Sequence, residues 1–296
     1  MSSEESTVFH NADRWVEKNK EFFLPPVCNK MMHQEGQMKM FFVGGPNQRK
    51  DYHIEEGEEF FYQIKGQMCL KVVEQGKHRD IYIKEGQVFL LPAKIAHSPN
   101  RVADTVGVVI ERERHSSELD GLRYYIEKDG KPTLDSLYEE WFYCSDLGKE
   151  LAPIIKRYFA SEQFKTGVPL PGTIPEKPPI VLDSKTKLQD PFDLEEWLDR
   201  NNAEIQKRGS KPLFEGNHQF QIDVLGQGEH SDQVEDVETL IWQLRGTSSV
   251  TVNRKTASLA DRDTLLVKAG QRWTMNQNED SLSLVLYQDP ARKNTL

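Results

Sequence analysis

Only three cysteines occur in 296 residues, Cys28, Cys69 and Cys144, and none forms a CxxC pair. That excludes a disulfide framework and a cysteine-rich zinc knuckle, and it fits a reducing compartment. No apolar run approaches the roughly 18 residues that a membrane-spanning helix needs. The opening MSSEESTVFHNADRW lacks the basic start and apolar centre of a secretory signal, so a soluble, cytosolic protein is expected. Positive charge is scarce as well: 38 Lys and Arg stand against 47 Asp and Glu, for a net charge of −9, with no basic run to neutralise phosphates. Nucleic acid and anionic membrane are therefore not expected partners. The length suffices for two domains, each with its own core.

What is present concentrates between Asp51 and Arg101. His53 and Glu55 lie two apart and share one face of a strand, Glu56-Gly57-Glu58 makes a turn, and Glu59 opens the apolar run 60–64. Gly86, an apolar strand over 88–91 and the terminating Pro92 form a second block, and His97 follows it. A hairpin lets His53 and Glu59 converge. Two imidazoles and one carboxylate from neighbouring strands make a facial triad, the set expected of a non-haem Fe(II) site with open positions. Singly, each of the three reads as a solvated residue at a strand end; together they point to metal. A structural zinc site would want four closed ligands, usually with cysteine, whereas manganese and nickel stay compatible with these donors. Glu55, Glu56 and Glu58 are expected on the solvated side of the turn, Glu55 being the one placed to add a fourth ligand.

Elsewhere, residues 8–22 read as a short amphipathic helix packing on a barrel, 24–27 as an extended connector and 38–46 as a strand ending in a turn. Strands over 62–73, 81–83, 88–91 and 106–111 suggest a small barrel or jelly roll. Helical signals return at 137–142 and 147–164, where Leu151, Ile154, Ile155, Tyr158 and Phe159 lie near one packing face. The expected domains are 1–166, carrying the site, and 184–296, also all β, joined by a stiff proline-rich linker over 167–183. A faint repeat lays 239–246 over 59–66 and 265–267 over 90–92. It puts Gln233 at the position of His53, Thr239 at that of Glu59 and Arg272 or Trp273 at that of His97, so the second domain keeps no triad. His10, His218 and His230 read as surface or capping residues.

The spacing of His53, Glu59, Gly66, Gly86, Pro92 and His97 resembles the two motifs of the cupin superfamily, with Glu55 where a second histidine is usual and Lys94 where a glycine is usual. Within it, DYHIEEGEEFFYQIKG, LLPAKIAHSPNR and VVIERER are similar to the 3-hydroxyanthranilate 3,4-dioxygenase family. The similarity continues through GLRYY at 121–125, WFYC at 141–144 and SEQ at 161–163. The resemblance implies a mainly β chain of two cupin (double-stranded β-helix, jelly-roll) domains with a few peripheral helices. It also implies a monomer whose second barrel does the covering that a partner subunit would do. The implied activity is Fe(II)-dependent ring opening of 3-hydroxyanthranilate by dioxygen to 2-amino-3-carboxymuconate semialdehyde, on the kynurenine route to quinolinate and NAD.

On the same resemblance His53, Glu59 and His97 hold the iron, and Glu59 touches substrate too. Arg101 clamps the substrate carboxylate, where a bidentate fork suits the group, and Arg49 lies near the carboxylate or the dioxygen position. Glu111 hydrogen-bonds the hydroxyl or amino group and helps remove the phenolic proton. Seen alone, each arginine reads as surface charge about as readily. Glu111, closing the apolar stretch 106–110, is costly there without a task. Two other readings stay open on the residues: a metal cupin isomerase, which has no need of an arginine pair around a planar acid, and a non-enzymatic bicupin binding protein, which would have lost its ligands in both halves.

Overall fold

A computed structural model describes residues 7–25, 28–33 and 35–294. Strands dominate, with four α-helices among the described residues. Contacts divide the chain into two compact units: a terminal unit of Met1–Val43, Val108–Arg112 and Phe192–Leu296, and a central unit of Gly44–Gly107 and Glu113–Pro191.

This division departs from the expected boundaries at 166 and 184, and the N-terminus shows why. In place of one helix over 8–22, Thr7–Asn11 is a strand antiparallel to Asp263–Val267, with Phe9 opposite Leu265, and Ala12–Lys18 is a helix. Asn11 sets the break, because its side-chain oxygen accepts the Arg14 N–H at 3.1 Å and caps the helix. Val8 and Phe9 before it suit a strand. Pairing across some 250 residues ties the start of the chain to its C-terminal sheet. The connector expected over 24–27 lies partly outside the described residues, at 26–27.

In the terminal unit a six-stranded antiparallel sheet runs in the order Thr7–Asn11, Asp263–Val267, Thr239–Arg245, Leu282–Gln288, Phe220–Leu225, Ser210–Pro212. A four-stranded sheet runs Gly228–Asp232, Trp273–Gln277, Ser248–Val252, Lys255–Leu259. Residues alternating along the strands of both, among them Ile241, Leu265, Val250 and Trp273, form one buried cluster. The counterparts of the metal motif can now be read from register. Thr239 faces Val267 as Glu59 faces Leu91, and Asp232 faces Trp273 as His53 faces His97. The counterpart of His53 is thus Asp232, one residue from the expected Gln233, and Trp273 stands for His97. A shared device marks the repeat: buried Gln63 donates from Nε2 to the Lys65 carbonyl at 2.8 Å, and Gln243 donates to the Arg245 carbonyl at 2.9 Å.

In the central unit a six-stranded sheet runs Lys131–Phe142, Asp120–Lys128, Tyr52–Ile54, His97–Arg101, Gln67–Glu74, Lys77–Lys84, and Glu59–Lys65 pairs with Gln87–Leu91. The strand expected over 62–73 is broken at Gly66, whose φ of +70° lets the chain turn from one sheet into the other. Residues 137–142, expected as helix, lie in the strand Lys131–Phe142; Glu139 faces Arg123 across the pair and accepts its Nε–H at 2.8 Å. The helix expected over 147–164 is two, Leu147–Ala160 and Glu162–Thr166, split at Ser161, whose side-chain oxygen accepts the Phe164 N–H at 3.2 Å; Leu151, Ile154 and Tyr158 are buried against Leu122 and Tyr124, while Phe159, expected on the packing face, is exposed. The proline-rich stretch is not a free spacer. Ile180 is buried among Tyr52, Ile54, Val73, Ala96 and Tyr125, and the Asp183 N–H donates to the Lys94 carbonyl at 3.0 Å, so the stretch is packed as part of the central unit.

Candidate metal centre

His53 sits in the three-residue strand Tyr52–Ile54, directly opposite His97, the first residue of His97–Arg101. Cross-strand partners lie within side-chain reach of each other, so this pairing brings two imidazoles together. Glu59 opens the next strand. All three are buried, and one ligand atom from each lies within 4.8 Å of the other two. His97 Nδ1–H donates to the Ile95 carbonyl at 3.0 Å, which leaves Nε2 facing Glu59 Oε1 at 2.7 Å. In neutral imidazole that nitrogen is an acceptor, as is the carboxylate, and two buried acceptors so close need a cation between them. A proton serves, and so does a divalent metal, which makes the donor set a fit for one. Burial alone would raise the Glu59 carboxyl, but the charge and hydrogen bond of His97 hold it well below the usual range. Burial would likewise lower His97, and Glu59 pushes it up.

A further layer of buried charge surrounds the triad. His53 Nε2 lies 2.7 Å from Asp120 Oδ2. Arg114 donates to both oxygens of Asp120, from Nε at 3.0 Å and Nη2 at 2.9 Å, and the same Nη2 is 2.9 Å from Glu55 Oε2. Burial would raise the Asp120 carboxyl, but the Arg114 charge and then His53 bring it down to about 2. Sequence reasoning missed both: Arg114 closes the stretch VVIERER without standing out in it, and Asp120 lies just outside GLRYY. Glu55 and Glu58 are buried and Glu56 is half-buried, against the expected solvated turn; Glu55 turns to Arg114.

Arg101 is 2% exposed, which removes the surface-charge reading, and lies four residues beyond His97 on the same face of one strand. Its backbone exchanges hydrogen bonds with Asn47, at 2.8 and 2.9 Å. Arg49 is mostly buried; its Nε donates to Asp51 Oδ2 at 3.0 Å, its Nη2 bonds the same oxygen, and its backbone N–H donates to Asn100 Oδ1 at 2.8 Å. Glu111 is buried on Val106–Arg112, a strand whose residues from 108 onward group with the terminal unit. The structure thus brings His53, Glu59 and His97 together, with Arg101 buried and Arg49 largely covered in the same unit. His230, read as a surface residue, donates from Nε2 to the Gly226 carbonyl at 2.8 Å, a local structural bond.

The model of the 3-hydroxyanthranilic acid dioxygenase family matches residues 5–159. The chain is 49% identical over 282 residues to 3-hydroxyanthranilate 3,4-dioxygenase of Homo sapiens, covering 95% of this chain and 96% of that protein. It is 46% identical over 275 residues to that of Nematostella vectensis, covering 93% and 97%. Among solved structures, salicylate 1,2-dioxygenase from Pseudaminobacter salicylatoxidans aligns with a TM-score of 0.57 at 13% identity, over 98% of this chain and 86% of that one. A cupin 2 conserved barrel domain protein from Leptotrichia buccalis aligns with a TM-score of 0.52 at 11% identity, over 98% and 99%. At such identities these two likenesses speak for the cupin fold alone.

Proposed function

The chain belongs to the 3-hydroxyanthranilate 3,4-dioxygenase family, and from that premise we propose that it is an Fe(II)-dependent dioxygenase converting 3-hydroxyanthranilate and O2 to 2-amino-3-carboxymuconate semialdehyde. The observation that carries the proposal is the buried donor set of two imidazoles and one carboxylate, gathered within 4.8 Å. Three protein donors leave positions free for an ortho-aminophenol and dioxygen. Iron bound there supplies the path for electrons between a chelated ring and dioxygen.

The remaining work falls to the chain's own side chains. His53, Glu59 and His97 would hold the ion. Arg101, a permanent cation fixed at the end of its strand, takes the substrate carboxylate and orients the ring. Arg49, steadied by Asp51, supplies a second cation near that carboxylate or the oxygen position. Glu111 accepts the phenolic proton as the hydroxyl is engaged. The reaction breaks the ring bond between the hydroxyl-bearing carbon and its unsubstituted neighbour, and both oxygen atoms enter the product. The same reading takes the chain as a monomer, which sedimentation tests, and places the reaction on the route to quinolinate.

The test is oxygen uptake by metal-stripped protein given 3-hydroxyanthranilate, with Fe(II), Mn(II), Zn(II) or Ni(II) restored in turn. One O2 consumed per substrate with Fe(II) alone, lost in His97→Ala, is the expected result. Absence of uptake with every metal, despite tight metal binding, refutes it. Glu111→Gln separates the proton role: metal affinity stays while kcat falls by roughly 10²-fold or more.

A further inference from the structure

We propose that Asp120 is a positioning residue that decides which nitrogen of His53 faces the metal, and that Arg114, braced by Glu55, holds Asp120 in that role. The proposal rests on the metal centre described above and adds to it a determinant of metal affinity outside the three ligands.

Neutral imidazole exists as two tautomers, and only its unprotonated nitrogen can ligate. At His53 the choice is made by the neighbour of Nε2, the Asp120 carboxylate at 2.7 Å. A carboxylate can only accept, so Nε2 carries the proton and Nδ1 is left with the lone pair that a metal requires. Backbone register delivers this partner. Leu122 lies directly opposite His53, and Asp120, two residues earlier on the same strand face, occupies the diagonal position. Arg114 reaches both Asp120 oxygens through two nitrogens and Glu55 through one of them. That geometry stops the carboxylate from rotating away. Asp120 and His53 are no more than 2% exposed, and Arg114 is 5% exposed, so water does not compete for these bonds.

Oδ2, the oxygen 2.7 Å from His53 Nε2, also accepts from Arg114 Nη2 at 2.9 Å and Nε at 3.2 Å, so an asparagine oxygen would stay there and keep the tautomer; the informative variant is one without an acceptor. In Asp120→Ala nothing accepts from Nε2–H, and the lone pair on Nδ1 is no longer secured. Replacing an outer partner of a ligating histidine typically weakens metal binding by 10- to 100-fold.

The experiment uses the full chain with 15N-labelled histidine at mildly alkaline pH, read by NMR without metal and with Zn(II). Zn(II) and Co(II) affinities are measured by chelator competition for wild type and Asp120→Ala. Expected are an Nε2–H tautomer for His53 in the metal-free wild type, Zn(II) ligation through Nδ1, and 10- to 100-fold weaker binding in Asp120→Ala, with His53 no longer held as Nε2–H. If the wild type binds metal while His53 carries its proton on Nδ1, or ligates through Nε2, this proposal falls and the metal centre stands. If the wild type binds no metal, the centre itself is wrong and the proposal falls with it. A folded Asp120→Ala whose affinity stays within twofold of wild type also overturns it, leaving Asp120 a structural ion pair. Should Asp120→Ala fail to fold, the wild-type tautomer and the Zn(II)-bound nitrogen decide the matter.

Discussion

His33 makes a prediction whose size can be worked from the structure. It lies on Asn29–His33 in the terminal unit, 3% exposed, and neither ring nitrogen finds a hydrogen-bond partner among the described residues. Burial first, then the neighbouring charges of His10 and Lys268, bring its pKa from 6.5 down to about 4. Between those values the unfolded chain binds a proton that the folded chain refuses, so stability rises with pH across the window. The contribution is whole above pH 6.5 and is lost as the pH falls toward about 4. At about 1.4 kcal/mol per pH unit the loss across the window amounts to about 3 kcal/mol. His33→Leu removes the titration. At pH 7 the variant should be as stable as wild type or more so by about 1 kcal/mol, because an unsatisfied buried polar group is gone. Its advantage should grow by about 3 kcal/mol on acidification. The assay is urea unfolding of both proteins at intervals from pH 7.5 to 4.5, with stability differences plotted against pH; carboxylates elsewhere titrate alike in both and cancel. A difference independent of pH would refute the reasoning, as it would mean that water or a rearranged neighbour solvates the imidazolium.

Three further outcomes are expected. Arg101→Lys keeps the charge but loses the planar fork, so KM for 3-hydroxyanthranilate should rise about 10- to 100-fold with metal affinity unchanged; steady-state kinetics beside chelator titration separates the two. Fe(II) at about a hundred times its Kd should stabilise the central unit by about 2.7 kcal/mol, seen by calorimetry as a melting point that falls on chelation, and His97→Ala should lose that response. Ile180→Ala, in a stretch whose sequence reads as a spacer, should cost about 2 to 4 kcal/mol in denaturant unfolding, since it empties a buried position among Tyr52, Ile54, Val73, Ala96 and Tyr125; an unchanged midpoint would return that stretch to a spacer.

The triad was legible because its chemistry and its spacing travel together: residues of distinctive type recur at intervals that strand periodicity converts into shared faces. The pattern of strands from 38 to 112 was legible for the same reason, apolar alternation punctuated by Gly66, Gly86 and Pro92. What escaped depends on pairing between distant segments. Leu137 to Phe142 carries apolar residues at spacings that suit a helix, yet Glu139 is drawn into a strand by Arg123 opposite, a partner that local periodicity does not reveal. The opening residues join Asp263–Val267, and nothing near residue 9 announces a mate 250 residues away. Asp120 is the sharpest case. Asp120-Gly121-Leu122 looks like a loop aspartate before a glycine, and it acquires meaning only when register sets Leu122 against His53 and Arg114 closes on its carboxylate. Residue type thus reveals candidate ligands, while register decides which groups stand beside them. The counterpart positions Asp232, Thr239 and Trp273 follow the same rule: the second barrel kept the register and changed the residue types, retaining the fold without a triad.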